Sequence, residues 1–427
     1  MSKVITKKYT EEAYAGYNLR TAMAEAARCL LCEDAPCSKG CPAGTDPGKF
    51  IRSIRFRNVK GAAETIRENN VLGGCCARVC PYDHLCEEAC SRTSIDKPIH
   101  IGKLQRFAIE QEKAFGMKTL NAPAKAKAKV ACIGAGPASL ACAAKLATEG
   151  YKVSIFEEFE KAGGVLTYGI PESRLPQSVV DHDIKMVKNL GVKFIFGTKV
   201  GRDITIEEIK KLGFKAIFIG TGLWESKKLD IKGKDLAGVT TAVEFLKSAR
   251  STGGKFEIGK EVLVIGGGDV AMDSAATAKL LGAEKVTVVY RRTIEEAPAS
   301  INEISYVQSM GISIIQNFAP AEILGDKKVT GMAFDGRDKF GGLKLKADMV
   351  IFAIGQSAED MSLVTSAKLT EKGTIVASLE KGKTSAAGIF AAGDIVNGGS
   401  TVVEAVAQGK VAAENIMIYL TKKEGVK

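Results

Sequence analysis

Nine of the eleven cysteines lie between residues 29 and 90, in two tight groups. The first reads Cys29-x2-Cys32-x4-Cys37-x3-Cys41-Pro42 and the second Cys75-Cys76-x3-Cys80-Pro81-x4-Cys86-x3-Cys90. Short intervals let several thiolates converge on one centre without a separate folding cost for each, so the spacing suits two iron–sulfur clusters. Neighbours in sequence would give one cluster per group. Cys41 and Cys80 each precede proline, however, and in two-cluster ferredoxins the cysteine before proline ligates the other cluster. The crossed alternative puts Cys90 with Cys29, Cys32 and Cys37, and Cys41 with Cys80 and Cys86, leaving one vacancy for which spacing offers Cys76. Structural zinc competes, but it usually shows two clean C-x2-C pairs, whereas these intervals are uneven. Cys75, Cys132 and Cys142 read as small buried apolar side chains.

Two glycine turns carry a second chemistry. Residues 130–158, VACIGAGPASLACAAKLATEGYKVSIFEE, read as strand, turn, Ala/Leu-rich helix and a second strand ending in acid. Gly134-x-Gly136-x-x-Ser139 would bring a pyrophosphate close to a helix N-terminus, and Glu157 would accept from a ribose hydroxyl. Ser139 stands where Gly or Ala is usual but is small enough for close packing. A second unit, 261–292, opens with Gly266-x-Gly268-x-x-Ala271 and ends its second strand in Arg291 and Arg292. Arginine in place of the acid accommodates a 2′-phosphate, which favours NADPH over NADH. A solvated charge pair at a strand end is the alternative. Further on, GIFAAGD delivers Gly393 and Asp394 to a turn, and a small-residue helix is expected after Ser400. Asp394 would bind a polyol hydroxyl.

These residues need elements to hold them. Helices are expected over 18–28, after Cys41 with Phe50, Ile51, Ile54 and Phe56 as apolar anchors, over GAAETIRENN, and over 104–116. This first part has modest apolar content, so the clusters themselves should serve as its core. NAPAKAKAKV reads as a linker, with a boundary near residue 125. The expected domains are 1–125, helical and iron–sulfur binding; 126–225 with 356–427, discontinuous; and 226–355.

Composition narrows the classes. The chain has 427 residues, 45% hydrophobic and 26% charged, as in ordinary soluble proteins. Neither a signal-peptide pattern nor an apolar run of membrane-spanning length is present, so a cytoplasmic protein with reduced cysteines and no membrane partner is expected. The formal charge is +11, but Lys and Arg are scattered, which argues against nucleic acid and suits anionic cofactors or an acidic protein partner. His84, His100 and His182 are isolated and no Ser-His-Asp or Cys-His arrangement is offered, so no catalytic residue is named. No C-x-x-C accompanies GGGDVAMD, which argues against dithiol exchange.

GAGPAS with Glu157, the GGxxxxGIP segment, GGGDVAMD, the strands ending GTG and AIG, and AAGD resemble the flavoprotein disulfide reductase fold. Together with CLLCEDAPCSKGCPAGTDPGKF, CARVCP and PIHIGKLQRFA, the whole chain resembles the NAD(P)H-oxidising subunits of bacterial dihydropyrimidine dehydrogenase, within a superfamily that includes the glutamate synthase small subunit. The resemblance implies an N-terminal α-helical domain with two 4Fe-4S clusters, followed by two Rossmann-like α/β dinucleotide-binding domains. FAD would contact Gly134, Ala135, Gly136, Pro137, Ala138, Glu157, Gly164, Val165, Arg174, Val200, Gly393, Asp394 and Thr401. NADPH or NADH would meet Gly267, Gly268, Asp269, Val270, Arg291, Arg292, Ala353, Ile354 and Gly355. The resemblance also places Gln105 in the vacancy beside Cys41, Cys80 and Cys86. It implies a hetero-oligomer with an FMN-containing catalytic subunit that acts on uracil or thymine. An NADPH:ferredoxin-type oxidoreductase subunit and a redox sensor that transfers nothing are the further alternatives.

Overall fold

In the first glycine-turn segment, strand β1 (Lys129–Ile133) is buried from Val130 onward, the continuous apolar run of a parallel strand covered on both faces. It pairs in parallel with β2 (Lys152–Phe156) and β4 (Phe214–Ile219); β3 (Lys193–Ile195) lies outside β2. A later strand joins β4, giving a five-stranded parallel sheet. The second segment repeats the plan. Strands β5 (Val239–Thr241), β6 (Glu261–Ile265), β7 (Lys285–Tyr290), β8 (Ser313–Gln316) and β12 (Met349–Phe352) form a parallel sheet in the order β5-β12-β6-β7-β8. Between β8 and β12 comes an antiparallel ribbon of β9 (Phe318–Gly325), β10 (Val329–Gly336) and β11 (Leu343–Lys346). The strand that completes the first sheet is β13 (Ile389–Ala391).

These descriptions come from a computed structural model, and the structure describes residues 8–123, 127–227, 229–337 and 341–423. The boundary expected near residue 125 lies outside the described residues. The described chain divides into two compact units. One holds 8–13, 168–176 and 224–357, with the second sheet; the other holds 14–167, 177–223 and 358–423, with the cysteine-rich helices and the first sheet.

The cysteine-rich part consists of α1 (Leu19–Ala27), α2 (Pro47–Arg55), α3 (Val59–Asn69), α4 (Gly73–Val79) and α5 (Ile101–Ala114), with short turns between. Asn18, Asp46 and Asn58 cap α1, α2 and α3 by accepting from backbone N–H groups three residues on. Two expectations are corrected here. Phe50, Ile51, Ile54, Ile66, Leu104 and Phe107 form a fully buried apolar core, with cysteines at its margin, so the clusters are not the core. Phe56 is 69% exposed, because α2 ends at Arg55 and positive φ at Arg57 turns the chain away.

Candidate functional site

The cysteines do not sort by sequence group. Cys29, Cys32, Cys37 and Cys90 line one pocket, together with Ile51 and Ile99. Arg55 donates to the Cys29 carbonyl at 3.3 Å, and Cys32 Sγ lies 3.5 Å from Ser91 Oγ. Burial pushes the Cys29 thiol up; at Cys37, burial and the charges of Cys90, Cys29 and Cys32 push it to about 11. A second set surrounds Cys80, whose thiol is raised by a hydrogen bond with Cys76, by burial, and by Cys86 and Cys41. Cys86 in turn faces Cys41 and Cys37, so the two sets adjoin. Such thiols stay protonated until a metal displaces the protons.

Gln105 is buried on α5, and its Nε2 donates to the Gly73 carbonyl at 2.8 Å, which leaves Oε1 as the amide's electron-pair donor atom. Cys76 is buried on α4, and Tyr82 donates to its carbonyl at 2.9 Å. Cys75, Cys132 and Cys142 are fully buried, in keeping with a packing role. Among the described residues, no group of three or more Cys, His or carboxylate side chains is arranged to hold a single metal ion. Four sulfurs spread around an open pocket fit a cluster better than zinc.

The first glycine turn joins β1 to α6 (Pro137–Thr148), whose N-cap is Gly136 and whose N1 is Pro137. Gly134 has φ +83°, and a Cβ there would lie 2.9 Å from the Gly220 carbonyl. A Cβ on Gly164 would lie 2.9 Å from Gly136 Cα, so the Gly163–Gly164 segment lies directly on the turn. This leaves backbone N–H groups at a helix start with no side chain to obstruct a pyrophosphate, so the residues fit a dinucleotide. Glu157 is buried and accepts from Ala135 N–H at 2.6 Å and Phe159 N–H at 2.9 Å; burial pushes its carboxyl up. It therefore braces the turn as well as facing it. Ser139 is buried, and Val165 and Val200 lie in the same unit.

Helix α10 (Val402–Lys423) starts beside this turn. Thr401 and Glu404 exchange the two bonds of a capping box, and Asp394 accepts from Ser400 N–H at 3.1 Å. Gly393 N–H donates to Gln408 at 2.9 Å. A Cβ on Gly409 would sit 2.2 Å from the Ala138 carbonyl, so α10 and α6 touch through their backbones there.

The second turn joins β6 to α8 (Asp269–Leu280). A Cβ on Gly266 would meet the Ala353 carbonyl at 2.3 Å, and one on Gly267 the Tyr290 ring at 2.5 Å. The turn thus packs against the Ala353–Gly355 loop, where Gly355 has φ +112°. Asp269 accepts from Ser300 N–H at 3.0 Å, Val270 is 37% exposed, and Arg291 and Arg292 stand exposed past the end of β7. Arg174, expected with the flavin set, has its guanidinium in ion pairs with Asp273 at 3.0 Å and with Glu303, on α9 (Ile301–Ser309), at 3.2 Å. Both partners lie with Arg174 in the unit that holds the second turn. Burial pushes the Asp273 carboxyl up, against the pull of Arg174.

Two features escape sequence reading. Arg67, fully buried on α3, pairs with Glu112 of α5 at 2.6 Å and with Asp183 of α7 (Gln177–Asn189) at 2.7 Å. Asp183 also accepts from Cys75 N–H at 2.8 Å, and His182 meets Glu112 at 3.1 Å. Lys410 of α10 donates to backbone carbonyls of the cysteine-rich part. Neither has a local signal, because the partners stand tens to hundreds of residues apart.

Residues 6–117 match the family described as dihydropyrimidine dehydrogenase domain II, 4Fe-4S cluster, and residues 128–409 match pyridine nucleotide-disulphide oxidoreductase. The NAD-dependent dihydropyrimidine dehydrogenase subunit PreT of Escherichia coli (strain K12) is 44% identical over 414 residues, covering 97% of this chain and 98% of that one. The NADPH glutamate synthase small chain of the same strain is 33% identical over 445 residues, covering 96% and 93%. Among solved structures, Mycobacterium tuberculosis FprA in complex with NADPH superposes with a TM-score of 0.60 at 18% identity, over 70% of this chain and 86% of that one. The crystal structure of T. acidophilum thioredoxin reductase gives a TM-score of 0.55 at 24% identity, over 70% of this chain and 100% of that one. These two likenesses show the fold, that of the flavoprotein disulfide reductases.

Proposed function

The chain belongs to the pyridine nucleotide-disulphide oxidoreductase family and, within it, to the PreT-type dihydropyrimidine dehydrogenase subunits; on that premise we propose that it is the electron-input subunit of a dihydropyrimidine dehydrogenase. The observation that carries this reading is one chain holding two glycine turns at helix starts together with a pocket lined by Cys29, Cys32, Cys37 and Cys90 and a second group of cysteines around Cys80. When bound, NADH or NADPH supplies hydride, FAD converts the electron pair into single electrons, and two 4Fe-4S clusters carry them onward. The rest is the protein's work. Residues Gly134–Ala138, Glu157, Gly164, Val165, Val200, Gly393, Asp394 and Thr401 hold FAD, while Gly267–Val270, Arg291, Arg292 and Ala353–Gly355 hold the nicotinamide nucleotide. Arg174 neutralises the acidic side chains beside the second turn.

Cys29, Cys32, Cys37 and Cys90 hold one cluster; Cys41, Cys80, Cys86 and Gln105 hold the other. The lining of the first pocket, which brings Cys90 to Cys29, Cys32 and Cys37, supports this crossed arrangement. The three-part division at 1–125, 126–225 with 356–427, and 226–355 assigns one task to each part. An FMN-containing partner subunit would interconvert uracil or thymine and the 5,6-dihydropyrimidine, a reading supported by the likeness to PreT, itself a dihydropyrimidine dehydrogenase subunit. No helix of the described residues is long and apolar enough to cross a membrane, which agrees with work in the cytoplasm.

Co-purification of the native partner, followed by NADH- and NADPH-dependent uracil reduction, tests the reading. Turnover of uracil is expected. A flavin- and iron-loaded complex without it sinks the proposal, and recovery of a large amidotransferase partner points to glutamate synthesis instead.

A further inference from the structure

Lys410 stands in α10 one residue past Gly409, the point at which that helix presses on the first glycine turn's helix. Its Nζ donates to the carbonyls of Ala43 at 2.6 Å and Asn69 at 2.7 Å. Asn69 ends α3, so one bond satisfies a carbonyl orphaned at a helix C-terminus. Ala43 lies two residues beyond Cys41; burial disfavours the ammonium's charge, and the charge of the Cys41 sulfur favours it. Both hydrogen-bond partners are neutral, so no carboxylate hydrogen-bonds to this cation. Glu414, one turn further on, is exposed and favours the charge, while Lys145 opposes it. The Lys410 ammonium is thus held, partly buried, between the helix that packs on the flavin turn and the loop that carries Cys41.

From this geometry we propose that Lys410 sets the reduction potential of the cluster that Cys41 helps to hold, by stabilising the extra negative charge of its reduced state. The inference rests on the ligation proposed above. Reduction adds one electron, supplied by reduced flavin, while no bond forms or breaks. A fixed cation close to the site favours the more negative product, and partial burial keeps it from being screened as a surface lysine would be. Gln105 ligation would leave that cluster one thiolate short, and the lysine acts in the same direction. A merely structural lysine would hold the loop without changing the electron's energy.

Redox titration followed by electron paramagnetic resonance separates the two. The iron- and flavin-loaded protein is compared with K410Q, K410M and K410R. The unsubstituted protein should show two cluster signals; one signal alone would remove the ligation reading before Lys410 is considered. In K410Q and K410M, reduction of one cluster should be disfavoured on the order of tenfold, about 59 mV for a one-electron couple, with the other cluster unchanged. K410R, which keeps the charge, should restore the midpoint. The titration reads only loaded molecules, so partial loss of iron does not blur it. Unchanged midpoints in K410Q overturn the proposal. So does complete absence of that cluster from both K410Q and K410M, which would assign the lysine to building the loop.

Discussion

A cysteine's partners are a matter of which sulfurs meet, and Cys90 is the residue on which the two ligation schemes differ most. It lines a pocket with Cys29, Cys32 and Cys37, 53 or more residues away along the chain. Substitution C90S should therefore abolish the same cluster signal as C29S and leave about half of the iron, whereas C86S should abolish the other. Iron analysis with paramagnetic resonance reads this directly. If C90S and C86S remove the same signal, the crossed scheme is wrong. The fourth ligand of the second set is tested in the same way. Q105A should strip or distort that cluster while C76S keeps it; the reverse result assigns the position to Cys76, whose thiol already meets Cys80. The Cys-Pro steps at Cys41 and Cys80 raise the crossed scheme from sequence, and the meeting of Cys90 with Cys29, Cys32 and Cys37 depends on tertiary packing. The choice between Gln105 and Cys76 was not legible, because it depends on how α4 and α5 face each other.

Helices α3, α4, α5 and α7 are joined by a polar knot inside an otherwise apolar part of the molecule. Burial of Glu112 disfavours its charge, but the hydrogen bond from His182 and the charge and bonds of Arg67 outweigh this and hold its carboxyl at about 2. The folded state thus favours the ionised carboxylate over the unfolded chain, whose glutamates titrate near 4.5. That stabilisation is complete above about pH 4.5 and is lost as pH falls through 2. Acid unfolding followed by circular dichroism should begin in this window, and E112Q should flatten its pH dependence there. R67M leaves two buried carboxylates facing each other and should cost about 3–5 kcal/mol in urea unfolding. A loss below about 1 kcal/mol would show that the knot contributes little. A different contact joins α10 to α6. G409A places a methyl against the Ala138 carbonyl and should cost about 1–3 kcal/mol while weakening flavin retention, read from the flavin absorbance after gel filtration.

Across the whole molecule, the two parallel sheets were legible because a glycine turn between an apolar strand and an Ala-rich helix is a local pattern with one main physical use. Arg291 and Arg292 are exposed after β7, free to meet a 2′-phosphate. Replacing both by alanine should raise KM for NADPH about tenfold or more and leave KM for NADH nearly unchanged. Equal effects on the two nucleotides would return the pair to an ordinary solvated strand end. The sequence by itself determined the glycine turns and the cysteine inventory, since each depends on intervals of a few residues. Only tertiary structure decided what long-range meeting decides. It brought Cys90 to the pocket of Cys29, Cys32 and Cys37, buried Arg67 between Glu112 and Asp183, turned Arg174 onto Asp273 and Glu303, and brought Lys410 to the loop beyond Cys41. Side chains so far apart in the chain leave no periodic trace, because what pairs them is the packing of helices whose faces the local code does not specify.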